Sequence, residues 1–196
     1  MNLTEQNTFF TSDIHFSHKN IIRYSNRPFE SVEHMNKKLI ENWNSMVKPT
    51  DYVFTLGDFA FCKIGQIMEI LSQLNGNIHM VTGNHCEEII KHRQAILDSG
   101  LVKSIEAYRE IRVNNQFICL FHYGARVWNK SHRDSWLLFG HSHGSLPPYG
   151  KSVDVGVDAP FVTGKAEYRP LSFYEVKDFM KNRPAKSEDR HQATDD

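Results

Sequence analysis

The chain has 196 residues, 40% of them hydrophobic and 23% charged, the proportions of a soluble globular protein with room for one well-buried domain. Lys plus Arg equals Asp plus Glu at 23 each, so there is no long-range field for gripping a nucleic-acid backbone, which argues against a duplex partner. No stretch approaches the ~18 apolar residues of a membrane span, and the opening MNLTEQNTFFTSD lacks the basic and apolar regions of a secretory signal.

In chain order, residues 8–12 read as a short buried strand running into Asp13-Ile14-His15. Ser31 has the character of an N-cap. Val32, Met35, Leu39, Trp43 and Met46 follow at three- and four-residue spacing, which predicts an amphipathic helix over 32–47. A second buried strand over 52–56 stops at Gly57-Asp58. Ile64, Ile67, Met68, Leu71 and Leu74 then trace a helix closed by Asn75-Gly76-Asn77. A third strand, 78–81, ends at Gly83-Asn84-His85 and leads into a helix over 86–98. Strand and helix thus alternate three times, with charged or amide residues just past each strand, where α/β sheets place function.

Beyond residue 101 the rhythm changes. Segments 105–113 and 117–121 predict a hairpin around Asn114-Asn115, and 136–139 and 152–157 predict further short strands. Ser172-Phe173-Tyr174-Glu175 is a capping box opening a last helix to about Met180. The segment 182–196 is polar and charged and is expected to be a disordered tail, leaving one domain over 1–181. The three cysteines, Cys62, Cys86 and Cys119, are odd in number and form no CxxC pair. They argue against a disulfide framework or a thiolate zinc site and for a reducing, cytoplasmic setting.

Five elements carry chemistry: Asp13-Ile14-His15, Gly57-Asp58, Gly83-Asn84-His85, Phe121-His122-Tyr123 and Gly140-His141-Ser142-His143. Each has a plainer reading alone, as a turn, a cap or a core histidine. Their fixed order at successive strand ends makes coincidence a poor account. Oxygen and imidazole donors without thiolates suit borderline divalent ions. The spacing of two in Asp13/His15 and His141/His143 puts both side chains on one side of an extended segment.

This order resembles the calcineurin-like metallophosphoesterase superfamily, over residues 8 to about 175. The resemblance implies an α/β fold, a four-layer α/β/β/α sandwich of two mixed sheets flanked by helices. It implies a dinuclear centre in which Asp13, His15 and His143 hold one divalent ion, Asn84, His122 and His141 hold the second, and Asp58 bridges the two. It further implies Mn²⁺ as the first choice, with Fe²⁺, Zn²⁺ or Ni²⁺ as alternatives, and hydrolysis of a phosphate ester by a metal-bridging hydroxide. His85 matches the position that the superfamily uses as proton donor or phosphate contact.

The chain departs from the protein phosphatases of that superfamily. Their Gly-Asp-x-x-Asp-Arg-Gly is replaced by Gly57-Asp58-Phe59-Ala60-Phe61-Cys62-Lys63, and Cys86, where many relatives carry Asp or Glu, follows His85. Glu87 or Glu88 is the available carboxylate substitute. Two segments, 15–29 and 122–128, resemble a small bacterial and phage branch. They nominate Arg27 and Arg126 for substrate phosphate, Trp128 or Tyr24 for stacking on a base, and His18 for the rim of the site. The expected substrate is a small phosphate ester of nucleotide type, a diester ahead of a monoester. A phosphomonoesterase and a non-catalytic scaffold of the same fold are the alternatives.

Overall fold

The computed structural model describes residues 1–185, so residues 186–196 of the expected tail lie outside the described residues. Strands β1 (Thr8–Thr11), β2 (Tyr52–Leu56), β3 (Asn77–Val81) and β4 (Val102–Glu106) run parallel in one sheet. The two-residue β9 (Leu171–Ser172) is added antiparallel, giving the order β4-β3-β2-β1-β9. The second sheet has the order β5-β6-β7-β8, from β5 (Tyr108–Val113), β6 (Gln116–Phe121), β7 (Trp136–Phe139) and β8 (Ser152–Asp154). Its β5–β6 pair is an antiparallel hairpin and its other pairs are parallel. The fold class is therefore α/β, with two mixed sheets flanked by helices.

The strands alternate as two-sided buried strands must. Phe9, Val53, Ile78 and Met80 face an outer core built with Met35, Leu39 and Trp43 of α2 (Val32–Met46) and Ile67, Ile70 and Leu71 of α3 (Ile64–Ser72). Phe10, Phe54, Leu56 and Val81 face inward and meet Ile118, Leu120, Trp136 and Leu138 of the second sheet. Phe173, Val176 and Met180 of α6 (Phe173–Lys181) close this inner core. The far face of the second sheet buries Cys119, Leu137 and Phe139, with Phe117 and Phe121 partly buried beside them, under Trp128 and the loop around it. The fourth layer is thus thin, a loop with one 3-10 turn over Ser131–Arg133.

Three local expectations change. The segment 105–113 is two strands in different sheets: Ile105 packs beside the helices while Ile111 and Val113 face the inner core. The chain therefore crosses between sheets at Ala107. The helix expected over 86–98 is broken at His92 into α4 (Glu87–Lys91) and α5 (Arg93–Asp98). A single turn, α1 (Ile21–Tyr24), lies within the long connection after β1. The caps match expectation. The Ser31 hydroxyl accepts from the His34 amide, and Ser172 and Glu175 form both halves of a capping box.

Replacing Ser172 by Ala removes one half of that box at the only helix closing the inner core of the described residues. Urea unfolding should show a loss of about 1 kcal/mol.

Candidate metal centre

The carboxyl ends of β1, β2, β3, β6 and β7 converge, and the segment after β8 joins them. The Asp13 amide donates to the Gly57 carbonyl (3.2 Å), the His15 amide to Asp58 (2.9 Å) and the Gly140 amide to His122 (2.9 Å). Val157 donates to Ser12 (3.0 Å), and Ser12 bridges Gly156 in parallel fashion, tying the two sheets together at this edge.

Two groups of ligand-type side chains result, each with donor atoms within 4.8 Å of one another. Asp13, His15 and His143 make one, and Asp58, His122 and His141 the other. Asn84 belongs to the second, its Oδ1 2.9 Å from His122 Nε2. One oxygen of Asp58 lies 3.7 Å from His15 Nε2 and 3.5 Å from His122 Nε2, so this carboxylate stands between the groups. The structure thus brings together the seven residues that the resemblance nominates.

The means of convergence differ from the expected extended segments. Asp13 (φ 54°), His15 (φ 54°), Asp58 (φ 50°), His141 (φ 70°) and His143 (φ 47°) all take left-handed backbone. Each such residue costs of order 1–3 kcal/mol and persists only where its surroundings over-determine it. The surroundings here are specific. Both Asp13 oxygens accept from the His141 amide (3.0 and 2.8 Å). Asp58 Oδ1 accepts from the His85 amide (3.0 Å). His122 Nδ1 donates to the Leu56 carbonyl (2.7 Å), which leaves Nε2 bare toward Asp58 and Asn84. Two glycines are needed for close approach: a Cβ at Gly140 would collide with Ser12 and Asp13, and one at Gly83 with Asp58 and His122.

The electrostatics fit cations. Burial, reinforced by Asp154, pushes the Asp13 carboxyl up to about 8, with Asp58 adding to the rise. Burial, followed by His143 and Arg27, drives His15 down to about 2. His15 is only 3% exposed, and neither of its ring nitrogens has a hydrogen-bond partner. A buried neutral imidazole with both nitrogens unpaired beside buried carboxylates is the donor set that a divalent ion completes.

Arg27 does not face a substrate. It is 4% exposed, and its Nε and Nη2 grip both oxygens of Asp158 (2.9 and 2.7 Å). Nη2 also donates to the Asp13 carbonyl and Nη1 to the Ile14 carbonyl and the Met35 sulfur, so all five N–H groups are used. Asp158 in turn holds His143 Nδ1 (2.7 Å). Burial alone would raise Asp158, but His143 and Arg27 outweigh it and hold it low. On His143, burial is outweighed by Asp158 and Asp13, which raise it. Trp128 likewise serves packing: it is buried, with Nε1 donating to the Ser135 carbonyl and hydroxyl. Arg126 is exposed on the loop after Tyr123, its guanidinium 4.4 Å from the Tyr149 ring centre. Tyr24 is exposed, and His18 is half-buried 5.3 Å from the His15 ring. His85 is exposed at the mouth, 5.8 Å from His15. Glu88 does not serve it, being engaged with the Ile64 amide and Lys63.

Sequence reading missed Asp154 and Asp158. Asp154 accepts from the Ser142 hydroxyl (3.1 Å) and the Gly144 and Gly156 amides (2.9 and 2.7 Å), clamping the His141–His143 loop. Asp154 falls inside the strand expected over 152–157 and Asp158 just past it; the observed β8 stops at Asp154, so both sit at or beyond the true strand end.

No family model matches the sequence. The uncharacterized protein MJ1445 of Methanocaldococcus jannaschii is 34% identical over 173 residues, 84% of this chain and 85% of the archaeal one. The two chains belong to one family. The gene 66 protein of Mycobacterium phage L5 is 35% identical over 82 residues, 40% of this chain and 39% of the phage one. The fold is shared with the protein of unknown function AQ665 from Aquifex aeolicus. That structure matches at a TM-score of 0.65 and 22% identity, covering 87% of this chain and 97% of that one.

Two outcomes test this geometry. Gly83→Ala should leave the protein folded but lower divalent-metal affinity by roughly 10- to 100-fold, read by titration and metal analysis. Arg27→Met should lose about 3–5 kcal/mol in chemical denaturation, because it strands the Asp158 charge. Adding Asp158→Asn should restore part of that loss.

Proposed function

We propose that the chain is a divalent-metal-dependent phosphoesterase that favours phosphodiesters, with two metal ions held by Asp13, His15 and His143 on one side and Asn84, His122 and His141 on the other. The observation that carries this reading is the Asp58 carboxylate within 3.7 Å of a histidine from each group. Bound there, two divalent ions would neutralise phosphoryl oxygens and acidify a water toward neutral pH. Mn²⁺ is the first choice for this oxygen and imidazole set, ahead of Fe²⁺, Zn²⁺ and Ni²⁺.

The chain's own groups do the rest. Asp13 and Asp58 fix their loops by accepting backbone N–H groups. The exposed His85 ring stands at the mouth to give a proton to the leaving oxygen. The diester preference is supported by charge. With Arg27 committed to Asp158 and no Asp-Arg-Gly extension, a dianionic monoester would lack the cations that a monoanionic diester does not require. Arg126 is the exposed cation proposed to meet substrate from the loop after Tyr123. A nucleotide-like substrate in a reducing, cytoplasmic setting accords with three free cysteines and with the absence, among the described residues, of any helix long and apolar enough to cross a membrane.

The test is Mn²⁺-dependent hydrolysis of bis(p-nitrophenyl) phosphate against p-nitrophenyl phosphate. The diester should be preferred and Asp58→Asn should abolish turnover. Equal, negligible rates for wild type and Asp58→Asn would sink the proposal. His85→Ala should cost about 10²–10⁴-fold with an alkyl leaving group, which needs the proton, and far less with p-nitrophenolate, which does not.

A further inference from the structure

Next to the metal centre lies an open cleft of about 350 Å³, room for one small ring system. Asn84 and His85 form its inner edge and Phe61, Lys63, Glu87 and Glu88 its walls. Phe61 is the unusual member. Its neighbours Phe59 and Ala60 are buried, yet its ring is 52% exposed.

That ring is not loose. The Phe61 amide donates to the Phe16 carbonyl (2.8 Å), in a segment bridged in parallel to Phe16 through Ala60. The ring lies 4.4 Å from the His18 ring and 5.8 Å from His85 at a steep angle. A rigid, half-exposed aromatic face beside the proton-donating histidine is a stacking surface already ordered before anything binds. The charges around it exclude a second anion. Lys63 lies 3.7 Å from Glu88, which leaves Glu87 to set the local sign.

We infer that this cleft receives the leaving group of the substrate, and that Phe61 selects an uncharged planar ring there, a nucleoside or aryl alcohol in preference to an alkyl or a further phosphorylated group. The inference rests on the phosphoesterase reading for the identity of the site. It places the leaving oxygen at His85 and the ring against Phe61, while Glu87 repels a polyphosphate and offers an acceptor to base or sugar N–H and O–H groups.

Two measurements test it. Adenosine binding to the Mn²⁺-loaded protein, read by saturation-transfer NMR, needs no turnover, and Phe61→Ala should weaken it by about 5- to 100-fold, the range for loss of one stacked base. In turnover, ethyl phosphodiesters with aryl and fluoroalkyl leaving groups of matched acidity should be compared. The aryl-to-alkyl ratio of kcat/KM should fall about tenfold in Phe61→Ala and recover in part in Phe61→Trp. An adenosine signal that is absent, or equal in wild type and Phe61→Ala, would overturn the inference, as would an unchanged aryl-to-alkyl ratio. Failure of the phosphoesterase reading looks different: no ester is hydrolysed by any variant, while the adenosine measurement still reports on the cleft.

Discussion

Three carboxylates buried together govern this molecule. Asp13, Asp58 and Asp154 are each almost wholly removed from solvent where the two sheets meet, and Asp13 feels both of the others. Burying like charges in close company is opposed by desolvation and by mutual repulsion. The chain offsets this with backbone N–H groups aimed at the oxygens, from His141 to Asp13, from His85 to Asp58, and from Gly144 and Gly156 to Asp154. The loops turn left-handed at Asp13, His15, Asp58, His141 and His143, the residues where these contacts gather. The strained backbone, the close-approach glycines and the charge concentration are one arrangement.

Arg27 shows how such a centre recruits support from outside it. An arginine close to a cluster of metal-ligand-type residues invites the reading of an anion contact, and its sequence context gives no warning otherwise. Tertiary structure sends it inward, where it and His143 pair with Asp158, and it spans the Asp13-Ile14 backbone at the same time. Its contribution is to orientation: Asp158 fixes the tautomer of His143, and Arg27 fixes Asp158.

Much of this was legible in the chain. Strand-end placement of Asp13, Asp58, Asn84, His122 and the two histidines after β7 is a periodicity argument, and local pattern suffices for it. The capping box at Ser172 and the N-cap at Ser31 were equally local. The missing parts depend on long-range packing. The crossing at Ala107 shows no break in β-forming residues, so only the change of core from Ile105 to Ile111 reveals it. Trp128 reads as an exposed aromatic near a ligand, yet it roofs the second sheet. Asp154 was hidden inside an expected strand that in fact stops there, and nothing local distinguishes an acid such as Asp158 that holds a loop from one that ends a strand.

The clamp by Asp154 and Asp158 also bears on the order in which the molecule is built. A chain emerging from the ribosome has every one of the seven ligand-type residues once His143 is out, but the two acids that fix the His141–His143 loop, and β8 itself, follow later. The contact of Arg27 with Asp158 closes a loop of 131 residues, among the most non-local in the molecule. Such contacts form late, after the entropy of closure has been met by packing elsewhere. The centre is therefore assembled last, on a scaffold of parallel strands already in register, and an incomplete chain would have the right residues without the means to hold them.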